Sequence, residues 1–123
     1  MHHILLSIGS NTYAKRNTDK AKRQIETVFP DIRFSESCTS KAYGKKYKRP
    51  FLNLLAAFES DKSAQEICKR VKQIESEMGR KPEDKEKGRV VIDIDLIRYD
   101  DNILKQSDFE RSYVQDLLKF FSE

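Results

Sequence analysis

"VVIDIDLIRY", residues 90–99, decides how this chain folds. In a strand, successive side chains point to opposite faces. Val90, Ile92, Ile94 and Leu96 therefore share one face, and Asp93 and Asp95 share the other. The apolar face is complete without the aspartates, so the stretch predicts a half-buried strand with one open face. Aspartate is depleted in strands. The two Cα atoms would stand roughly 6.5 to 7 Å apart. Two carboxylates that close raise each other's pKa unless a cation compensates. Lysines could supply that charge from solvent. Magnesium could supply it too, because it binds one or two carboxylates and completes its shell with phosphate oxygens and water. The second answer points to phosphoryl or pyrophosphoryl transfer.

The segments around this strand supply its neighbours. "HHILLSIGSN" gives an apolar run from Ile4 to Ile8 that ends at Gly9, read as a buried strand followed by a tight turn. "NTDKAKRQIETVF" places Ala21, Ile25, Val28 and Phe29 on one helical face, with Asn17 or Thr18 as the cap and Pro30 closing the run. "IRFSESCTS" alternates like a strand. "FLNLLAAFES" puts Leu52, Leu54, Ala56 and Phe58 on one face and Phe51, Asn53, Leu55 and Ala57 on the other. Ser63 and Glu66 have capping-box spacing and open a helix with Ile67, Cys68, Val71, Ile74 and Met78 on its apolar stripe, ended by Gly79. "RKPEDKEKGR" reads as a charged loop, long for a compact domain, and suggests a mobile element. Arg80 and Arg89 at its ends are placed to clamp phosphates. "FERSYVQDLLKFF" reads as a C-terminal helix.

The order strand, helix, strand, strand, helix, strand is the split βαβ pattern. The expectation is an α+β, ferredoxin-like βαββαβ fold: a four-stranded antiparallel sheet, helices on one face, and a short C-terminal helix. The other face would be free for a ligand. With 123 residues, 37% hydrophobic and 36% charged, the chain is expected to form one domain spanning 1–123. Nothing reaches the roughly 18 apolar residues of a membrane helix, and no basic segment followed by a long apolar run opens the chain. A cytoplasmic protein is expected. Net charge is +4, which suits anionic partners without choosing among them. His2 and His3 have no third ligand at suitable spacing. Cys38 and Cys68 are read as buried free thiols rather than a disulfide.

"SIGSN" at 7–11, "FLN" at 51–53, "QIESEMGR" at 73–80 and "VIDIDLIRYDD" at 91–101 together resemble the 6-hydroxymethyl-7,8-dihydropterin pyrophosphokinases. The resemblance covers roughly the whole chain. It implies transfer of pyrophosphate from ATP to the hydroxymethyl group of a reduced pterin, giving AMP, in the folate pathway. It further implies that Asp93 and Asp95 ligate two Mg²⁺ ions on the triphosphate. Asn53 would hydrogen-bond the pterin, Phe51 and Tyr113 would supply aromatic surfaces, and Ser40 would sit beside it. Glu75, Arg80, Arg89, Lys105 and Arg111 would serve the nucleotide, with Arg80 and Arg111 also counted as catalytic. The chain departs from the family pattern before the strand. "KGRVVID" puts Lys87 where the family has an aromatic, and Arg89 falls one position early. Lys105 falls near the place of the family's histidine, and the chain is shorter at its C-terminal end. The resemblance implies a monomer acting on small molecules.

Two other readings are compatible with the residues. One is a weakened or inactive homologue that binds pterin or nucleotide. The other is a single-stranded RNA module built on "KAYGKKYKRP", where Lys41, Lys45, Lys46, Lys48 and Arg49 interleave with Tyr43 and Tyr47. Against the RNA reading, the aromatic pattern such sheets carry is absent, and two aspartates would repel phosphate.

Overall fold

The computed structural model describes residues 1–41 and 49–121. Among them, one antiparallel sheet holds β1 (His2–Ser10), β2 (Arg33–Phe34), β3 (Cys38–Ser40), β4 (Phe51–Ser60), β5 (Asp93–Tyr99) and β6 (Asn102–Ile103). The strand order is β2-β4-β1-β5-β6, with β3 also paired to β4. The helices are α1 (Ala14–Val28), α2 (Ala64–Glu77), α3 (Pro82–Glu86), α4 (Gln106–Phe109) and α5 (Ser112–Leu118), followed by a 3₁₀ turn at Lys119–Phe121. The aromatic-basic loop proposed for RNA lies outside the described residues, apart from Lys41, Arg49 and Pro50, which are exposed.

The sheet has six strands, not the four expected from the sequence. Two local features account for the difference. The segment read as one strand, "IRFSESCTS", is broken between β2 and β3. Arg33 pairs with Ala57 and Phe34 with Ala56, but Cys38 pairs with Asn53, a register one residue out of step. An extra residue on one strand is a bulge. Here Ser35 fills the gap: its N–H donates to the Leu55 carbonyl and its Oγ accepts the Leu55 N–H, each at 2.8 Å. At the opposite edge, the chain turns back after Tyr99. Asp100 takes a left-handed conformation (φ 54°), which aspartate tolerates better than most residues. Its carboxylate accepts the His3 N–H at 2.7 Å and pairs with His2 Nδ1 at 2.6 Å.

The main core lies on one face of the sheet. Ile4, Leu6 and Ile8 of β1, Leu54, Ala56 and Phe58 of β4, and Ile94 and Leu96 of β5 pack under Ala21 and Ile25 of α1 and Ile67, Val71 and Ile74 of α2. Each such aliphatic side chain contributes about 1.5–3 kcal/mol on burial. The capping box at Ser63 and Glu66 is present as the spacing required. Gly79 ends the second helix at φ 90°.

The opposite face is not wholly open. Leu5, Leu55 and Ile97 meet Val114 and Leu117 of α5 in a second, smaller core. Ile97 reaches that face by alternation, two residues beyond Asp95, and the β1–β5 register slips next to it, so that Leu6 faces Leu96 while Leu5 faces Arg98. At the other end of this face the sheet is left open as a cleft.

Other expectations are corrected in detail. The first helix starts at Ala14, after Tyr13 in a left-handed conformation, and neither Asn17 nor Thr18 caps it. Both side chains donate back to preceding carbonyls, Asn17 to Thr12 at 2.6 Å and Thr18 to Ala14 at 2.8 Å. β1 runs through Gly9 to Ser10, so Gly9 is a strand residue rather than a turn. The charged segment after Gly79 contains the short helix α3, opened by Pro82. The C-terminal helix is split into α4 and α5. The aspartate strand, β5, begins at Asp93, and Val90 lies beside the turn after β1 rather than in the core under the helices. Asn11 clasps Val90 there, with Oδ1 accepting the Val90 N–H at 2.7 Å. Cys38 and Cys68 are free and half-buried.

Candidate active site

Strand alternation brings the site together on the sheet's second face. Antiparallel register sets Gly9 opposite Asp93 and Ser7 opposite Asp95, while across β1 Gly9 also faces Asn53. A Cβ on Gly9 would stand 3.1 Å from Asn53 Oδ1 and 3.9 Å from Phe51 Cδ1. The missing side chain is what lets β4 and β5 side chains converge over β1. The result is a cleft of about 400 Å³. One wall is Ser40, Phe51, Asn53 and Tyr113; the other is Arg80, Lys85, Asp93, Asp95, Lys105 and Arg111, with Lys72 and Asp108 at its border.

The two aspartates are held by cations of the chain itself. Asp93 Oδ1 accepts from Arg80 Nη1 at 2.8 Å. Asp95 Oδ1 lies 3.3 Å from Lys72 Nζ and 3.4 Å from Lys105 Nζ. Burial and the neighbouring Asp95 push the Asp93 carboxyl up to about 6. Burial acts the same way on Asp95, but a hydrogen bond with Asp93 and the ammonium groups of Lys72 and Lys105 outweigh it and hold Asp95 below the usual carboxylate range. The pair thus behaves as a coupled dyad in which Asp93 takes the proton and Asp95 keeps the charge.

α2 builds the rear of this wall. Around Ile92–Ile94, at the start of β5, no strand among the described residues pairs with the outer edge. Side chains of α2 and the turn after it satisfy that edge instead. Glu75 Oε2 accepts the Ile94 N–H at 2.5 Å, Lys72 Nζ donates to the Ile94 carbonyl at 2.9 Å, and Arg80 Nη1 donates to the Ile92 carbonyl at 3.1 Å. Glu75 is 4% exposed, and its charge is met by Lys72 at 3.1 Å and Arg80 at 3.0 Å. On the other wall, Asn53 is also 4% exposed, and its Nδ2 donates to Ser40 Oγ at 2.7 Å. That bond fixes which way the amide faces.

The 7,8-dihydro-6-hydroxymethylpterin-pyrophosphokinase (HPPK) family matches residues 5–121. This chain belongs to the HPPK family. A curated relative, the 2-amino-4-hydroxy-6-hydroxymethyldihydropteridine pyrophosphokinase of Aquifex aeolicus (strain VF5), is 30% identical over 106 residues. That match covers 85% of this chain and 66% of the relative, so the chain spans just under two thirds of that protein.

Of the residues singled out on resemblance to HPPK, Ser40, Phe51, Asn53, Arg80, Asp93, Asp95, Lys105, Arg111 and Tyr113 line one cleft. Two do not. Glu75 is sealed behind the β5 edge. Arg89 is exposed, while Val90 beside it is buried and lines the cleft. Sequence reasoning missed Lys72, Gly9 and Lys85. Lys72 had a legible signal: it stands three residues before Glu75, on the turn of α2 that faces the aspartate strand. Gly9 is recognisable only once register places it between Asn53 and Asp93.

Proposed function

We propose that this chain transfers the pyrophosphoryl group of ATP to the hydroxymethyl group of 6-hydroxymethyl-7,8-dihydropterin in folate biosynthesis, releasing AMP. The observation that carries this reading is the convergence of the Asp93–Asp95 dyad, a basic wall and an amide-aromatic wall on one cleft. HPPK membership supports it, as does the relative's printed activity.

The dyad fits magnesium by its chemistry. It offers adjacent hard oxygen donors facing one cleft. Magnesium commonly takes only one or two carboxylates and leaves its other positions to phosphate and water. When bound, the metal would supply positive charge against the triphosphate and a template for its oxygens. Two ions is the number the resemblance implies.

The chain's own residues would do the rest. Asn53, oriented by Ser40, would read the pterin's polar edge. Phe51 and Tyr113 would cover its ring. Arg80, Lys105 and Arg111 would face the phosphates and fix the β-phosphorus for in-line attack. The pterin hydroxyl oxygen would bond to the β-phosphorus, and the bond from that phosphorus to the α-phosphate bridging oxygen would break. AMP departs with the bridging oxygen, and the hydroxyl proton passes to water. Positioning and electrostatics account for the rate, with no protein nucleophile. The four main strand positions, with α1 and α2 on one face, support reading the fold as an elaborated ferredoxin-like sandwich. We read the reaction as cytoplasmic, where ATP and reduced pterins are available, and the chain as a monomer acting on these small molecules.

The test is direct: incubate the chain with ATP, Mg²⁺ and the pterin and measure AMP. Asp95→Asn is expected to abolish AMP formation, and full activity in that variant would sink the role of the dyad. A binding-only homologue is the second reading, favoured by the position of Arg89 outside the cleft. It predicts calorimetric binding of pterin or nucleotide with no AMP.

A further inference from the structure

Lys72 is the least expected member of the site. Its Nζ lies 3.3 Å from Asp95 Oδ1 and 3.9 Å from Asp93 Oδ1, so one ammonium bridges both members of the dyad. It is not a loose surface lysine reaching across. The Ile94 carbonyl at 2.9 Å and Glu75 Oε2 at 3.1 Å tether it to the strand edge between the two aspartates. Four oxygens of three carboxylates and one carbonyl thus surround a single positive centre, the environment a hard cation seeks. Arg80 and Lys105 each touch only one member of the dyad, Asp93 and Asp95 respectively.

We propose that Lys72 is the resident counter-ion of the Asp93–Asp95 pair, a positioning residue that occupies the bridging cation place in the ligand-free protein and competes there with the first divalent ion. This deepens the reading of the dyad as a metal site and rests on it. In the absence of nucleotide the carboxylates are already compensated, so free metal gains little on entering. The ammonium also keeps the two side chains directed into the cleft, ready for a metal that brings more charge than it displaces.

The competing explanation is that Lys72 only satisfies the Ile94 carbonyl at an open sheet edge. The two roles separate in one experiment. Mn²⁺ affinity of the nucleotide-free chain is measured by calorimetry and electron paramagnetic resonance for the wild type, Lys72→Met and Lys72→Arg, with thermal melts alongside. A counter-ion role predicts that Lys72→Met binds Mn²⁺ at least about tenfold more tightly than wild type, and that Lys72→Arg restores weak binding. An edge-satisfying role predicts a lower melting temperature with unchanged Mn²⁺ affinity, and that result overturns the proposal. Should Lys72→Met fold poorly, Lys72→Gln, which can still donate to the Ile94 carbonyl, gives the same comparison. AMP formation by the wild type is scored separately. AMP production with unchanged Mn²⁺ affinity in Lys72→Met leaves the activity standing and removes the counter-ion. Tighter Mn²⁺ binding in Lys72→Met without AMP production by the wild type does the reverse.

Discussion

At the scale of single residues, Asp93 and Gly9 show how much depends on one position. Asp93 has a folded pKa of about 6 against an ordinary 3.8. Between pH 3.8 and about 6 the folded chain therefore holds a proton that the unfolded chain has released. The stabilisation this brings is full below pH 3.8 and is lost as the pH rises through about 6. In metal-free protein, the wild type should lose melting temperature across that window relative to Asp93→Asn, which cannot titrate. Parallel melting curves for the two proteins from pH 4 to pH 7 would contradict the assigned proton. Gly9 poses a steric test. An alanine there needs Asn53 to give way by a few tenths of an ångström, because its Cβ would sit 3.1 Å from Oδ1 of an amide already tied to Ser40. Gly9→Ala is expected to raise KM for the pterin while leaving KM for ATP nearly unchanged. Steady-state kinetics with each substrate varied in turn would show it. The aspartates were legible in the sequence because strand alternation alone separates them from Ile92 and Ile94. Gly9 was not, because its meaning depends on two neighbouring strands whose register no local pattern states.

At the scale of elements, α2 does two jobs with two faces. Its apolar stripe, Ile67, Val71 and Ile74, builds the main core. Its polar edge replaces a missing strand beside β5. An exposed strand edge leaves backbone donors and acceptors that must be met, and Glu75, Lys72 and Arg80 meet them. Glu75→Ala strands the Ile94 N–H and takes from Lys72 and Arg80 the buried carboxylate that each pairs with besides the aspartates. It should cost about 2–4 kcal/mol in a urea titration, and Glu75→Gln should recover part of that. A loss below about 0.5 kcal/mol for Glu75→Ala would mean that water meets the edge instead. The apolar stripe and the capping box of α2 were readable because they repeat at helical spacing. The polar edge was not, because Lys72 and Glu75 look like ordinary surface charges until β5 lies beside them. The break between β2 and β3 was hidden for a related reason. "IRFSESCTS" alternates well enough for one strand, and only the Ser35 hydroxyl, taking over a backbone partner, shifts the register.

At the scale of the whole molecule, the sheet divides fold from function across its thickness and then divides its second face along its length. One face is sealed by α1 and α2. The other is split between the cleft and the small core under α5. α5 belongs to both halves. Tyr113 lines the cleft, while Val114 and Leu117 anchor the helix on Leu5, Leu55 and Ile97. Arg111, at the start of the same helix, pairs with Asp108 at 3.2 Å and also lines the cleft. A cavity under α5 should therefore be felt in the cleft, whereas a cavity under α1, which contributes no cleft residue, should not. Leu117→Ala and Ile25→Ala each remove a buried aliphatic side chain and should each cost about 2–5 kcal/mol. Only Leu117→Ala should also raise KM for the pterin, because it loosens the helix that carries Tyr113. Equal stability losses with no KM change in either variant would show that the second core stabilises the chain without positioning its site, and a KM change in both would show that the effect is not specific to α5.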